Sequence, residues 1–255
     1  MRYLKGHGTE NDFVVLPDLD GRLDLTPELV ARLCDRRAGL GGDGVLRVVR
    51  HDDPAEAEFF MDYRNADGSV AEMCGNGVRV YARYLVDAGL VPYGAFPLAT
   101  RGGVKHVEVD ADTVVVDMGP ARVGEPVEVD GQPATYVDMG NPHAVLPVPS
   151  VAALGVLDPD RKDLNVEYAE QVGPAHLRMR VHERGVGETR SCGTGACAVV
   201  VAQVLRDGRG RGEPFDVDVP GGRLRVTWRD DGHVLLAGPA VLVAEGELRA
   251  GWLAG

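Results

Sequence analysis

One short word occurs twice in this chain. Met73-Cys74-Gly75-Asn76-Gly77 and Ser191-Cys192-Gly193-Thr194-Gly195 both read x-Cys-Gly-polar-Gly, 118 residues apart in a chain of 255. Each copy opens an apolar stretch of helical length. The context repeats as well: Asn65 lies nine residues before Cys74, and Glu183 nine before Cys192. A strand, a turn, a cysteine and a helix in the same order twice imply an internal duplication, with two similar halves each built of strands and a central helix. The boundary is expected between Gly119 and Gln132, a segment rich in Gly, Pro and charge.

The local patterns fill in this outline. Thr26-Pro27-Glu28 has the form of a helix start, with Thr as N-cap and Pro in the first turn. Leu29, Val30, Leu33 and Cys34 follow at helical spacing, and Gly39 ends the element. Gly77 to Gly89 and Gly193 to Leu205 read as the two central helices. Strands are expected at 11–16, 45–49, 58–63, 104–109 and 113–118. In the second half they are expected at 135–139, 144–146, 165–170, 177–183, 215–219, 223–228, 233–237 and 241–248.

Composition narrows the classes of function. The formal net charge of −12 gives a field that repels phosphate, which argues against nucleic acid and anionic membranes as partners. The first residues, Met1 to Gly8, contain no apolar segment of a secretory signal, and no run approaches the ~18 apolar residues of a membrane span. A cytoplasmic chain is expected. Four cysteines in such a chain are not a disulfide framework. No Cys-x-x-Cys and no suitably spaced His pair is present, so no metal is expected.

The chemistry points back to the repeated word. A helix start carries unpaired N–H groups and the positive end of the helix dipole. A cysteine placed there becomes a usable base or nucleophile, and the amides after it can cradle an anion. Cys74 and Cys192 are the candidate reactive groups, whereas Cys34 and Cys197 fall on apolar helical faces and read as core. Gly39-x-Gly41-x-x-Gly44 matches the dinucleotide-binding string but follows a helix and precedes a strand, the reverse of what that site requires. It is read as a loop, with Asp43 as a supporting residue. Glu183-Arg184, an acid and a base beside a helix mouth, could hold the two ends of a zwitterion, although a solvated ion pair is the commoner fate of such residues. Asn11, Asn65, Asn76, Asn141 and Asn165 all lie by turns, where asparagine is an ordinary residue.

Together these motifs resemble the diaminopimelate epimerase family. The likeness runs through Gly6-His7-Gly8 with Asn11-Asp12-Phe13, Tyr63 to Ser69, Met73 to Arg79, Met139 to His143, Asn165-Val166, and Glu183 to Gly195. It implies an α+β fold of two pseudo-symmetric domains, each a barrel-like, mostly antiparallel sheet wrapped around a central helix. On this reading residues 1–119, with 246–255 returning to them, form the first half and 120–245 the second. The implied activity is epimerisation of LL-2,6-diaminopimelate to the meso form without a cofactor, by a cytoplasmic homodimer. Cys74 and Cys192 would be the catalytic pair. Backbone amides of Gly75, Asn76, Gly193 and Thr194 would hold the reacting carboxylate. Asn11, Asn65, Asn141, Asn165, Glu183 and Arg184 would bind the rest of the substrate, with His143 in support. Some members carry Gln where this chain has Gly44. The alternatives are a two-cysteine proline or hydroxyproline racemase, which usually has His at the position of Asn76, and a thiol redox or binding protein on the same scaffold.

Overall fold

The computed structural model describes residues 1–208 and 210–253. The chain divides into two compact units, one of residues 1–114 with the segment from Pro239 onward, the other of Val115–Gly238.

The first unit contains β1 (Arg2–Gly8), β2 (Asn11–Pro17), α1 (Pro27–Cys34), β3 (Gly44–Arg50), β4 (Phe59–Asn65), α2 (Gly75–Asp87), β5 (Gly94–Thr100) and β6 (Lys105–Val109). The second contains β7 (Val114–Pro120), which begins at the boundary, and then β8 (Arg122–Val123), β9 (Val127–Val129), β10 (Gln132–Asp138), β11 (Pro142–Pro147), β12 (Asn165–Gly173), β13 (His176–Glu183), β14 (Gly187–Thr189), α3 (Gly193–Asp207), β15 (Pro214–Val219), β16 (Gly222–Trp228) and β17 (His233–Gly238). The chain then returns to the first unit with β18 (Val241–Glu247) and the short α4 (Ala250–Leu253).

Strand pairing bears out the duplication. In the first unit β1–β2 is antiparallel, β2–β3 parallel, β3–β4 antiparallel, β4–β5 parallel and β5–β6 antiparallel. The second unit repeats the series as β10–β11, β11–β12, β12–β13, β13–β15 and β15–β16. In both, the central helix fills the second parallel crossover, α2 between β4 and β5 and α3 between β13 and β15. The units end where pairing ends: β7 pairs with β17 and β18 with β1. These limits differ by a few residues from those read from the sequence, and the last two residues of the expected 246–255 return, Ala254 and Gly255, lie outside the described residues.

Each sheet wraps its helix. In the first unit α2 touches β18 and β1 at one end of the pairing order and β6 at the other. Residues Gly75 to Val86 of α2 are all buried, as are Ala196 to Val204 of α3. A helix buried on every side is a core element. The α2 core includes a cation, Arg79, fully buried, whose guanidinium donates to Thr9 Oγ1 at 3.3 Å and to the carbonyl of Pro239 at 3.3 Å. Such a charge is tolerated inside only because acceptors surround it. Outside the first sheet, Val30 and Leu33 of α1 pack on Val14, Leu16 and Val45. Because β2 is covered on both faces, Phe13 to Leu16 are buried in succession.

The strands β1 and β5 are absent from the sequence reading for identifiable reasons. Gly6 and Gly8 occupy inward positions of β1, where a hydrophobe would be expected. A Cβ on Gly6 would lie 2.9 Å from Val80 Cγ1 of α2, so the helix approaches too closely for any side chain. In β5, Pro97 interrupts the pattern.

Candidate active site

Cys74 and Cys192 are the N-cap residues of α2 and α3, with similar extended backbone angles of φ −139°, ψ 119° and φ −125°, ψ 114°. Neither helix has an acidic residue in its first turn. Neither helix therefore neutralises the positive end of its dipole with a side chain of its own first turn. The first helix begins at Gly75, two residues before the start read from the sequence, so both glycine-flanked words lie within the first turn. None of the four cysteines is in a disulfide. Cys34 is buried on α1, which pushes its thiol up to about 11, and Cys197 is fully buried on α3; both are core residues.

In the first unit the tight β1–β2 hairpin sets the geometry. Gly8 faces Asn11 across a two-residue turn whose Thr9 and Glu10 both take positive φ, 50° and 62°. This conformation suits a hairpin but costs non-glycine residues energy, and buried Arg79 holds the turn through Thr9. The turn delivers Asn11 to the mouth of α2. Asn11 Oδ1 accepts from Asn76 Nδ2 at 3.2 Å and from the Cys74 thiol at 3.6 Å. Asn11 Nδ2 donates to Asp43 Oδ2 at 2.6 Å, and Asp43 is held by Arg36 at 2.7 Å. Both ends of the Asn11 amide thus engage the protein. Asn65, at the end of β4, bonds Ser69 Oγ at 3.0 Å and pairs with Gly44 in the sheet.

The second unit uses the same positions differently. Cys192 Sγ accepts from the Gly195 N–H at 3.4 Å and lies 3.5 Å from Thr194 Oγ1. Burial pushes the Cys192 thiol well above its ordinary value, reinforced by the nearby carboxylates of Glu183 and Glu167, while Thr194 and the Gly195 amide pull the other way. His143 is fully buried, with Nδ1 2.6 Å from Glu167 Oε1 and Nε2 3.0 Å from Asn141 Oδ1. Asn165 donates to the Pro142 carbonyl at 3.0 Å and accepts from the Arg184 amide at 3.0 Å. Glu183 accepts from the Thr189 hydroxyl. Glu183 ends β13, and the exposed Arg184 is the first residue of the turn after it.

Two further residues belong to these clusters. Asp43, read from sequence only as a support, orients Asn11. Glu167 has no signal of this kind in sequence, since Val166-Glu167-Tyr168 looks like a strand with one outward polar residue; in the fold it points at α3 and is fully buried. The glycine loop before β3 caps α1, with the Leu40 and Gly41 amides on the Leu33 carbonyl.

The comparisons with known proteins agree with this architecture. The diaminopimelate epimerase family profile matches residues 3–124 and 135–243. The chain is 56% identical to diaminopimelate epimerase of Streptomyces coelicolor, over 99% of this chain and 97% of that protein. It is 50% identical to diaminopimelate epimerase of Thermobifida fusca, over 98% of each. Among solved structures, a phenazine biosynthesis protein of Bacillus anthracis superposes with a TM-score of 0.76 at 16% identity, covering 98% of this chain and 99% of that one, a likeness of fold alone.

Proposed function

This chain belongs to the diaminopimelate epimerase family, and from that premise we propose that Cys74 and Cys192 are the acid–base pair with which it interconverts LL- and meso-diaminopimelate. The observation that carries the mechanism is the duplicated placement: a cysteine caps each of two buried helices whose first turns hold no acidic residue. Inverting an α-carbon needs a base on one face and an acid on the other. A thiolate removes the α-proton, and a thiol delivers a proton to the opposite face. The Gly75, Asn76, Gly193 and Thr194 amides hold the reacting carboxylate. Fixed N–H dipoles there stabilise the negative charge that grows as the C–H bond breaks.

The distal end of the substrate is a zwitterion, and complementary groups are at hand in Glu183, Arg184, Asn65, Asn141 and Asn165. His143, held by Glu167 and Asn141, supports the second helix mouth. The enzyme works as a cytoplasmic homodimer on this small substrate, without nucleic acid, membrane or cofactor. Among the described residues no helix is long and apolar enough to cross a membrane.

The test is isotope exchange in heavy water. Diaminopimelate is expected to gain deuterium at one α-carbon, and Cys74→Ala and Cys192→Ala each to abolish turnover, whereas Cys34→Ala leaves it intact. Label entering proline instead would favour the racemase reading. Epimerisation by the double Cys→Ala variant would refute the two-thiol mechanism.

A further inference from the structure

The geometry points to Glu167 as a positioning residue that keeps the proton on Cys192, so that Cys74 is the first thiol of the pair to ionise. This deepens the two-thiol reading above and rests on it.

The two duplicated units differ at equivalent positions. In the parallel pair β11–β12, His143 lies opposite Asn165; in the parallel pair β2–β3, Phe13 lies opposite Gly44. Phe13 therefore matches His143, and, two residues on, Leu46 matches Glu167. The floor beneath each helix mouth follows this correspondence. A Cβ on Gly77 of α2 would meet Leu46 Cδ2 at 3.2 Å and Phe13 Cζ at 3.6 Å. A Cβ on Gly195 of α3 would meet Glu167 Oε1 at 2.6 Å. Where the first unit places hydrocarbon under the cysteine-capped turn, the second places a carboxylate.

That carboxylate is fully buried. One oxygen is bonded to His143 Nδ1, and the other has no hydrogen-bond partner among the described residues. Charge in such a site is poorly screened and acts on its neighbours at low effective dielectric. The groups that face Cys192 are Glu167 from β12, Glu183 from β13 and, behind Glu167, His143 from β11. Both carboxylates oppose a thiolate at Cys192. The first unit has neither: Leu46 stands for Glu167, and Asn65, which pairs with Gly44 at the end of β4, stands for Glu183. Two thiols working on one carbon cannot both ionise freely. The asymmetry of the floor decides which one gives up its proton first.

Glu167→Gln tests this, since the amide keeps the size and the acceptor for His143 but removes the charge. Iodoacetamide, which reacts with thiolates, is applied from about pH 6 to about pH 10, spanning the ordinary thiol range, and each cysteine is followed separately by peptide mass spectrometry. In the parent enzyme Cys74 is expected to react at lower pH than Cys192. In Glu167→Gln the Cys192 profile moves down by about one pH unit, roughly tenfold faster reaction at a given pH, while the Cys74 profile stays. Glu167→Asp, which retains the charge, keeps Cys192 slow. An unchanged Cys192 profile in Glu167→Gln overturns the proposal, as does a parent enzyme in which Cys192 reacts first. Should circular dichroism show Glu167→Gln unfolded, His143→Phe with Glu167→Leu, which copies the floor of the other unit, gives the same reading. Absence of deuterium exchange into diaminopimelate by the parent enzyme would instead remove the functional reading, an outcome separable from the alkylation result.

Discussion

Asp43 Oδ2 accepts the side-chain N–H of Asn11 at 2.6 Å, and this bond decides which end of Asn11 faces Cys74. An ionised carboxylate can only accept, so Asn11 must turn its NH2 toward Asp43 and its oxygen toward Asn76 and Cys74. Arg36, on the other oxygen of Asp43 at 2.7 Å, holds the carboxylate in place. The orientation of a group at the helix mouth is thereby set by an ion pair one residue removed from it.

Replacing Asp43 with Leu releases the Asn11 amide and loosens Cys74 and Asn76. We expect kcat for epimerisation to fall roughly ten- to hundredfold, the scale of a misplaced catalytic group, with far-ultraviolet circular dichroism unchanged. Asp43→Glu, which can still accept, should recover part of the loss. A Leu variant with parental kcat would show that the bond has no part in catalysis.

The two helix mouths should differ in their tolerance of a methyl group. Gly195→Ala drives a Cβ against Glu167 Oε1 and is expected to destabilise by about 1–3 kcal/mol, as overpacking does. Gly77→Ala crowds the end of Leu46 at 3.2 Å and makes ordinary contacts with Cys74 and Phe13, and it should cost less than about 1 kcal/mol, because alanine also favours the helix. Urea denaturation of the two variants measures the difference, and equal costs would contradict the asymmetric floor.

Acid should weaken the first unit through Asp12. Burial opposes its ionisation, but hydrogen bonds and charge from Arg36 and Lys5 prevail and hold its carboxyl well below the usual range. Stability from a depressed carboxyl is fully present above its unfolded value, near pH 4, and is lost as pH falls below that toward the folded value. Asp12→Asn should therefore lose about 2 kcal/mol at neutral pH, the scale of a charged hydrogen bond. It should also show a shallower fall in stability below about pH 4. Thermal melts of parent and variant from neutral to acid pH check both, and parallel curves would contradict the assignment.

What could be read from sequence divides along physical lines. Cys74 and Cys192 announce themselves because a helix start next to glycines has a local signature, and so does α1, whose Thr26 accepts from the Leu29 amide as its N-cap at 3.2 Å. The inner strand β2 is equally legible, since burial on both faces writes a continuous apolar run. Strand β1 is not, because its inward positions are glycines dictated by the approach of α2. Glu167 is hidden for a related reason. Its meaning depends on His143, 24 residues away in sequence and on the neighbouring strand, and strand alternation cannot distinguish a polar residue facing solvent from one facing a helix mouth. The division of labour between the two asparagines is also tertiary: Asn11 turns its oxygen to Cys74, Asn141 to His143.

The return of β18 to β1 has a consequence for how the molecule is made. The second unit is continuous in sequence, so everything it needs has left the ribosome once Gly238 emerges. The first unit, although it begins at Met1, has an open edge along β1 until β18 arrives, and Leu248 then closes onto the Met1 carbonyl. Trp252 follows, stacking under Arg32 and bonding the Ala38 carbonyl at 3.1 Å. The half translated first is thus the half completed last, and through that interval its strand edge is open to pairing with another chain.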